Sequence, residues 1–416
     1  MHRARRLAQA AAGGTALVLL LAACSTSSTS TPATVSPTTS AATASPAATS
    51  EQPTPTESSD SATPDASTSS PSSQPSSEPT GGPTTQPVAQ SGDVTMVFTG
   101  EVLMHKSLID QALQNGGGRD FDFRPMFDEI KGLISSADLA VCHLELPVIP
   151  KGEGMEPRYA TPPQVIDALK YAGFDRCSTA SNHALDRGAK GNDATLAAFK
   201  RNGMTEAGTA GGPGGLEPTV LDVRGIKVTH LSYTEVGGKP IPAGQPWRMA
   251  MASKPRILAD VTKARELGAE YVVVSIHDAD ELAYRPTRNQ TDWDTWLVEK
   301  AGVDLVVGTG SHVPEKEDAD KSAFVLYGLG NLINWRLNAR DSVIAKVALY
   351  RDESGAVKAR APELIPTFTV EKLGYQVLDA RGFRTARFDP DVRQYLRESL
   401  DRVKPYVGPY VPPLSR

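Results

Sequence analysis

The sequence predicts an α/β domain carried on an exported, anchored stalk. Three observations point there. From Val94 onward, short apolar runs alternate with segments of helical spacing. Polar or glycine-rich residues follow nearly every apolar run. The composition also changes abruptly near residue 93: no aromatic residue precedes Phe98, and no Lys or Arg lies between Cys24 and Lys106.

The chain has 416 residues and a formal net charge of −5. Arg3, Arg5 and Arg6 give the N-terminus +3, and residues 25–92 carry −5 through Glu51, Glu57, Asp60, Asp65 and Glu78. The remaining 324 residues therefore hold only −3. No basic stripe stands out, so no nucleic-acid partner is expected. A body of that size buries a full core without disulfide staples.

Residues 1–23 read as a signal peptide. A short basic start is followed by an apolar run peaking at Leu17–Leu21, too short for a comfortable membrane span and ending in small residues. Leu21-Ala22-Ala23-Cys24 has the form of a bacterial lipobox, which makes Cys24 the expected lipidation site and first mature residue. Two acyl chains there would anchor the protein stably at the outer face of the cell membrane. Residues 24–92, almost entirely Ser, Thr, Pro and Ala, have too little apolar surface to offset ordering entropy and read as a disordered stalk.

The body then unfolds element by element. Val94–Phe98 reads as a strand ending at Thr99-Gly100, and Met126 to Leu133 has helical spacing. Leu139–Cys142 is a second strand. Pro162-Pro163 opens a helix over Gln164–Tyr171 that Gly173 stops. Cys177–Ala180 is a third strand, and Asn192–Lys200 a helix closed by Asn202-Gly203. Val220–Val223 and Ile226–Leu231 flank Arg224-Gly225 as a hairpin. A helix over Pro255–Leu267 precedes the continuous apolar run Tyr271–Ile276, as a fully buried strand requires. A helix over Asp292–Lys300 leads to a strand at Val303–Val307, with late strands at Ala323–Tyr327 and Ser342–Tyr350. Cys142 and Cys177 could pair in an exported protein. Both lie inside apolar strand-like runs, which favours two small core residues.

In α/β sheets the site lies beyond the carboxyl ends of the strands. Those ends carry Gly100-Glu101 with His105, His143-Leu144-Glu145, Ser181-Asn182-His183 with Asp186, His277 with Asp278 and Glu281, Ser311-His312 and Gly330-Asn331. Four of the seven His (His143, His183, His277, His312) directly follow predicted strands. Imidazole, carboxylate and carboxamide on converging loops are the donors that hold Zn, Mn or Fe, and such a metal acidifies water and polarises a phosphoryl or acyl group.

The motifs are specific enough to resemble a family. Ala180-Ser181-Asn182-His183-Ala184-Leu185-Asp186-Arg187-Gly188 is close to A-N-N-H-x-x-D-x-G. His277-x-x-x-Glu281, Pro286 with Gln290, the run Ala301–Gly308 and Leu329-Gly330-Asn331 follow in matching order. Together they resemble the CapA family of capsule or poly-γ-glutamate biosynthesis, within the calcineurin-like metallophosphoesterase superfamily. The resemblance implies a four-layer α/β/β/α sandwich over residues 93–345, which residues 346–416 complete or extend with strands and a helix. It implies a divalent metal (Mn, Zn, Fe or Mg) held by Glu101, Glu145, Asn182, His277 and His312. His183 would assist the leaving group with Asp186 behind it, and His105, His143, Asp278, Glu281 and Asn331 would be accessory.

The departures from the family pattern matter equally. Glu101 stands for the usual Asp of the first motif, His143 for an Asn, Asp278 for a Trp, and Gly310 for the first His of the fifth motif. The expected function is synthesis or export of a capsule or poly-γ-glutamate-type polymer, with metal-dependent hydrolysis. The alternative is a non-catalytic accessory or polymer-binding lipoprotein with a degenerate metal site. Expected partners are the membrane through Cys24, an anionic envelope polymer or its precursor, and membrane proteins of polymer synthesis or export.

Overall fold

A computed structural model describes residues 92–154, 159–278, 280–316 and 324–407. The signal peptide, Cys24 and the stalk lie outside the described residues. The strands are β1 (Val94–Val102), β2 (Leu139–Leu144), β3 (Arg176–Ser178), β4 (Thr205–Ala207), β5 (Leu221–Val223), β6 (Ile226–Thr234), β7 (Tyr271–His277), β8 (Leu305–Thr309), β9 (Phe324–Leu326), β10 (Asp341–Arg351), β11 (Val357–Ala359), β12 (Glu363–Val370) and β13 (Gln376–Asp379). The helices are α1 (Lys106–Asn115), α2 (Asp128–Ser135), α3 (Gln164–Ala172), α4 (Gly188–Arg201), α5 (Lys254–Glu266), α6 (Arg288–Trp296) and α7 (Pro390–Val407).

They form two sheets. The first has the order β13-β12-β10-β1-β2-β3-β4, with β11 on β10; the second has the order β5-β6-β7-β8-β9. β1, β2, β3 and β4 run parallel, as do β6, β7, β8 and β9, while β10 joins β1 antiparallel.

The two-residue period of a strand sorts the core into layers. Met96, Phe98 and Val141 point from the first sheet into a shared layer with Val228, Val273, Leu305 and Val307 of the second. Their neighbours Val97, Ala140 and Cys142 point the other way, onto Ile109 of α1, Ile134 of α2, Leu169 of α3 and Phe199 of α4. Val272, Val274 and Val306 likewise meet Ile257 and Val261 of α5 and Trp293 of α6. The result is helices, sheet, sheet, helices. Each fully buried aromatic such as Phe98 contributes roughly 1.5–3 kcal/mol by leaving water. The C-terminal α7 lays Val392 and Leu396 on Phe368, Val370 and Leu378 of β12 and β13, so residues beyond 345 complete the first sheet and cover it.

Element boundaries differ from the sequence reading where local chemistry was overlooked. α6 begins at Arg288 rather than Asp292, because Thr287 and Gln290 form a reciprocal capping box. α4 starts at Gly188, four residues before the expected Asn192. The reading of Cys142 and Cys177 as two separate core residues is corrected: they are facing partners on β2 and β3 and form a disulfide, with Cα atoms 4.4 Å apart.

Gln290 does a second job, donating from Nε2 to Oε2 of the fully buried Glu315 at 2.9 Å. Burial pushes the Glu315 carboxyl up to about 7, although the Gln290 bond opposes the shift. Its folded value lies above the unfolded one, so its stability contribution is complete below pH ~4.5 and disappears as pH rises through ~7. Glu315→Gln is expected to remove on the order of 3 kcal/mol of pH dependence across that window, read by urea unfolding at stepped pH. Opening the disulfide in a Cys142→Ser, Cys177→Ser double variant is expected to cost about 2–4 kcal/mol in the same assay, matched by reductant acting on the parent protein.

Candidate functional site

Register places two rows of polar side chains at the carboxyl ends of the parallel strands. In the first sheet Glu101 of β1 faces His143 of β2, which faces Ser178 of β3. In the second, Thr234 of β6, His277 of β7 and Thr309 of β8 stand in line. The rows meet across the seam: the His143 and His277 rings stack with centroids 5.2 Å apart. Glu101 Oε1 accepts a hydrogen bond from the Gly310 backbone N–H just past β8. Gly310 has φ 111°, a conformation that strains any residue with a Cβ. At Gly100, a Cβ would lie 1.8 Å from the Gly330 carbonyl oxygen, so glycine lets the loop carrying Asn331 close over the row.

Both stacked imidazoles are neutral. The Ser178 hydroxyl is directed to the Cys142 carbonyl at 3.3 Å, which assigns the His143 Nδ1 hydrogen to Ser178 Oγ at 2.8 Å. The lone pair then sits on Nε2, which is buried and unpaired. Burial, then His312, push His143 down to about 3. His277 is fixed by Thr309 Oγ1 at 3.0 Å, and burial with the neighbouring His143 and His312 holds it well below its ordinary range.

The remaining groups gather at the mouth. Burial pushes Glu145 up to about 7 against the pull of His312, whose Nδ1 lies 3.9 Å from Glu145 Oε2. Burial would lower His312, but Glu145, Glu101 and Asn331 outweigh it and raise its pKa. Asn331 grips His312 twice, by Oδ1 against Nδ1 at 3.1 Å and by Nδ2 donating to its carbonyl at 3.0 Å. His183 Nδ1 bonds Asp186 Oδ2 at 2.6 Å, and its ring stacks on Tyr159 at 4.7 Å. Burial again works against His183, while Asp186 and Glu145 prevail and raise it.

Glu145, His183, His312, His105, Tyr159 and Glu281 line a cavity of about 100 Å³. His105 sits on its rim, edge-on to Tyr159 and Trp335. Asp278 turns away: Asn289 Nδ2 donates to it at 2.6 Å, and burial together with Glu235 lifts its carboxyl to about 6.

The structure thus gathers Glu101, His143, Glu145, His183, His277 and His312 around one seam. Asp186 and Asn331 act as braces, and His105 and Glu281 stand at the rim. His143 lies within β2, and His277 is the last residue of β7. Sequence reasoning did not single out Ser178 and Thr309, the cross-strand partners that orient the two neutral imidazoles. It also missed Tyr159 and Trp335 at the rim. The signal for the first pair is register, visible only once strand order is known.

Among the described residues, four side chains of the predicted site each keep a buried acceptor without a partner: Glu101 Oε2, His143 Nε2, Glu145 Oε2 and Asn182 Oδ1. Even so, among the described residues no three His, Cys, Asp or Glu side chains are grouped to hold a metal ion. As arranged, the donors fit an internally paired centre better than a metal cage. What they supply is proton handling: two imidazoles held neutral, and two (His183, His312) biased toward the charged form by carboxylates. Asp186→Asn is expected to lower the His183 titration in an NMR experiment, and to move it more than that of His312.

Residues 95–336 match the family model described as bacterial capsule synthesis protein PGA_cap. The chain is 26% identical over 279 residues to the capsule biosynthesis protein CapA of Bacillus anthracis, covering 64% of this chain and 66% of that one. It is 24% identical over 267 residues to the PGA biosynthesis protein CapA of Bacillus subtilis, covering 62% and 68%. The match thus spans about two thirds of the length of these relatives. Among solved structures, the calcineurin-like phosphoesterase YfkN of Bacillus subtilis aligns at 12% identity and a TM-score of 0.43, over 74% of this chain and 96% of that one. The family model accounts for more than half of the sequence, and the chain belongs to the bacterial capsule synthesis protein family PGA_cap.

Proposed function

We propose that this protein is a non-catalytic accessory or polymer-binding protein of capsule or poly-γ-glutamate-type envelope-polymer synthesis or export, with a degenerate metal site. In this reading Cys24 is lipidated and holds the domain at the outer face of the cell membrane, with residues 24–92 as a stalk. The names of the relatives support the polymer association. The observation that carries the accessory role is internal pairing at the seam. Glu101 is bound by Gly310 N–H, His143 by Ser178, His277 by Thr309, and Glu145 faces His312. Glycine at 310 supplies a backbone amide where the family motif supplies a ligand.

A second reading is metal-dependent hydrolysis of a phosphoester or amide bond in the polymer. The four unpaired buried acceptors favour it. Here Glu101, Glu145, Asn182, His277 and His312 would be ligands, and His183 with Asp186 would serve the leaving group.

The test pairs genetics with elemental analysis. Deleting the gene is expected to abolish the surface polymer, and His277→Ala and Asn182→Ala alleles are expected to restore it fully. The purified full chain, after metal repletion, is expected to hold less than about 0.1 equivalent of any transition metal. One bound equivalent that vanishes in His277→Ala, with a failed complementation, would overturn the accessory reading in favour of the second.

A further inference from the structure

A second polar constellation lies away from the strand-end site, at the amino ends of β3 and β4. Arg176, the first residue of β3, is only 6% exposed, yet it lines a cavity of about 360 Å³. Its Nε donates to His230 Nδ1 at 3.1 Å, one terminal nitrogen to Thr205 Oγ1 at 3.1 Å, and the other to the His230 carbonyl at 3.3 Å. His230 Nε2 pairs with Ser275 Oγ at 2.9 Å, so its ring is a neutral acceptor toward Arg176. A guanidinium has five N–H donors. Three are committed here, all to neutral partners, and two remain. Among the described residues no carboxylate is ion-paired with it. Burial accordingly depresses Arg176 to about 10, and Glu206 only partly offsets this from a distance.

The rest of the cavity wall narrows the ligand. Glu206 is half-buried, and burial raises its carboxyl although Arg176 pulls the other way. Glu217 is exposed, while Leu216 and Pro218 supply apolar wall. A simple anion would meet Arg176 but also two glutamates. A simple cation would meet the glutamates but also a buried guanidinium. A molecule with a carboxylate and an ammonium side by side on one carbon, and an aliphatic body, satisfies all three.

We propose that this cavity binds an α-amino acid with an aliphatic side chain, its carboxylate on the free donors of Arg176 and its ammonium on Glu206 and Glu217. The site is independent of the polymer role argued above. No covalent step is involved, and the recognition is charge-assisted hydrogen bonding to both charged groups.

Calorimetric titration of the full chain tests it with three probes of matched shape. L-leucine carries both charges, 4-methylpentanoate only the carboxylate and 3-methylbutylamine only the ammonium; inorganic phosphate is the control. Leucine is expected to bind with a Kd on the order of 0.1 mM, and each single-charge probe at least about tenfold more weakly. Glu206→Gln is expected to weaken leucine about tenfold without weakening 4-methylpentanoate. Arg176→Lys is expected to weaken both. Should that buried substitution unfold the protein, Glu206→Gln and Glu217→Gln carry the test. The proposal is overturned by no leucine binding up to about 10 mM, by phosphate binding as well as leucine, or by leucine binding unchanged in Glu206→Gln.

Discussion

A carboxylate with no exposed surface must find a hydrogen-bond donor inside the protein, and Glu101 finds one on the opposite sheet. Its bond to the Gly310 amide joins the end of β1 to the segment after β8. Everything at the seam is arranged around that join. Beside it His143 and His277 stack, and it leaves Glu101 Oε2 buried without a partner, as Glu145 Oε2 and Asn182 Oδ1 are. Burying polar groups is costly unless each finds a partner. The seam answers with neutral imidazoles where two cations would repel, and with His312 beside Glu145 where two carboxylates would otherwise be alone.

The apolar layers make this possible. Alternation along β1, β2, β7 and β8 sends every second residue into the space between the sheets. At the carboxyl ends the same parity delivers His143 and His277 instead of Val or Phe, and a register shift between Phe98 and Glu101 turns Glu101 to that face. The disulfide sits on the opposite parity, one residue before His143 and one before Ser178. It therefore ties together the two strands whose next residues form the His143–Ser178 bond, without entering the seam.

Much of this was legible in the sequence. The continuous apolar run Tyr271–Ile276 can only be a strand buried on both faces, and it is one. The Asn182-His183 motif and the isolated His277 and His312 pointed to one end of the sheets, and the fold brings them there. What was not legible depended on strand order. Nothing local says that β10 returns to lie beside β1, that His143 faces Ser178, or that Cys142 faces Cys177. The missed start of α6 is a different failure: the Thr287–Gln290 signature was present but was passed over for the apolar spacing that follows it. Arg176 and His230 were not singled out, because neighbours 54 positions apart in sequence leave no trace in either segment.

The Glu101–Gly310 join also constrains how such a sequence changes over generations. Shortening Glu101 to Asp alone withdraws the carboxylate from the amide and strands both groups in the interior. Replacing Gly310 alone by His forces a side chain onto a backbone held at φ 111°. The two positions are therefore coupled: a change at either one alone leaves the other group buried without its partner.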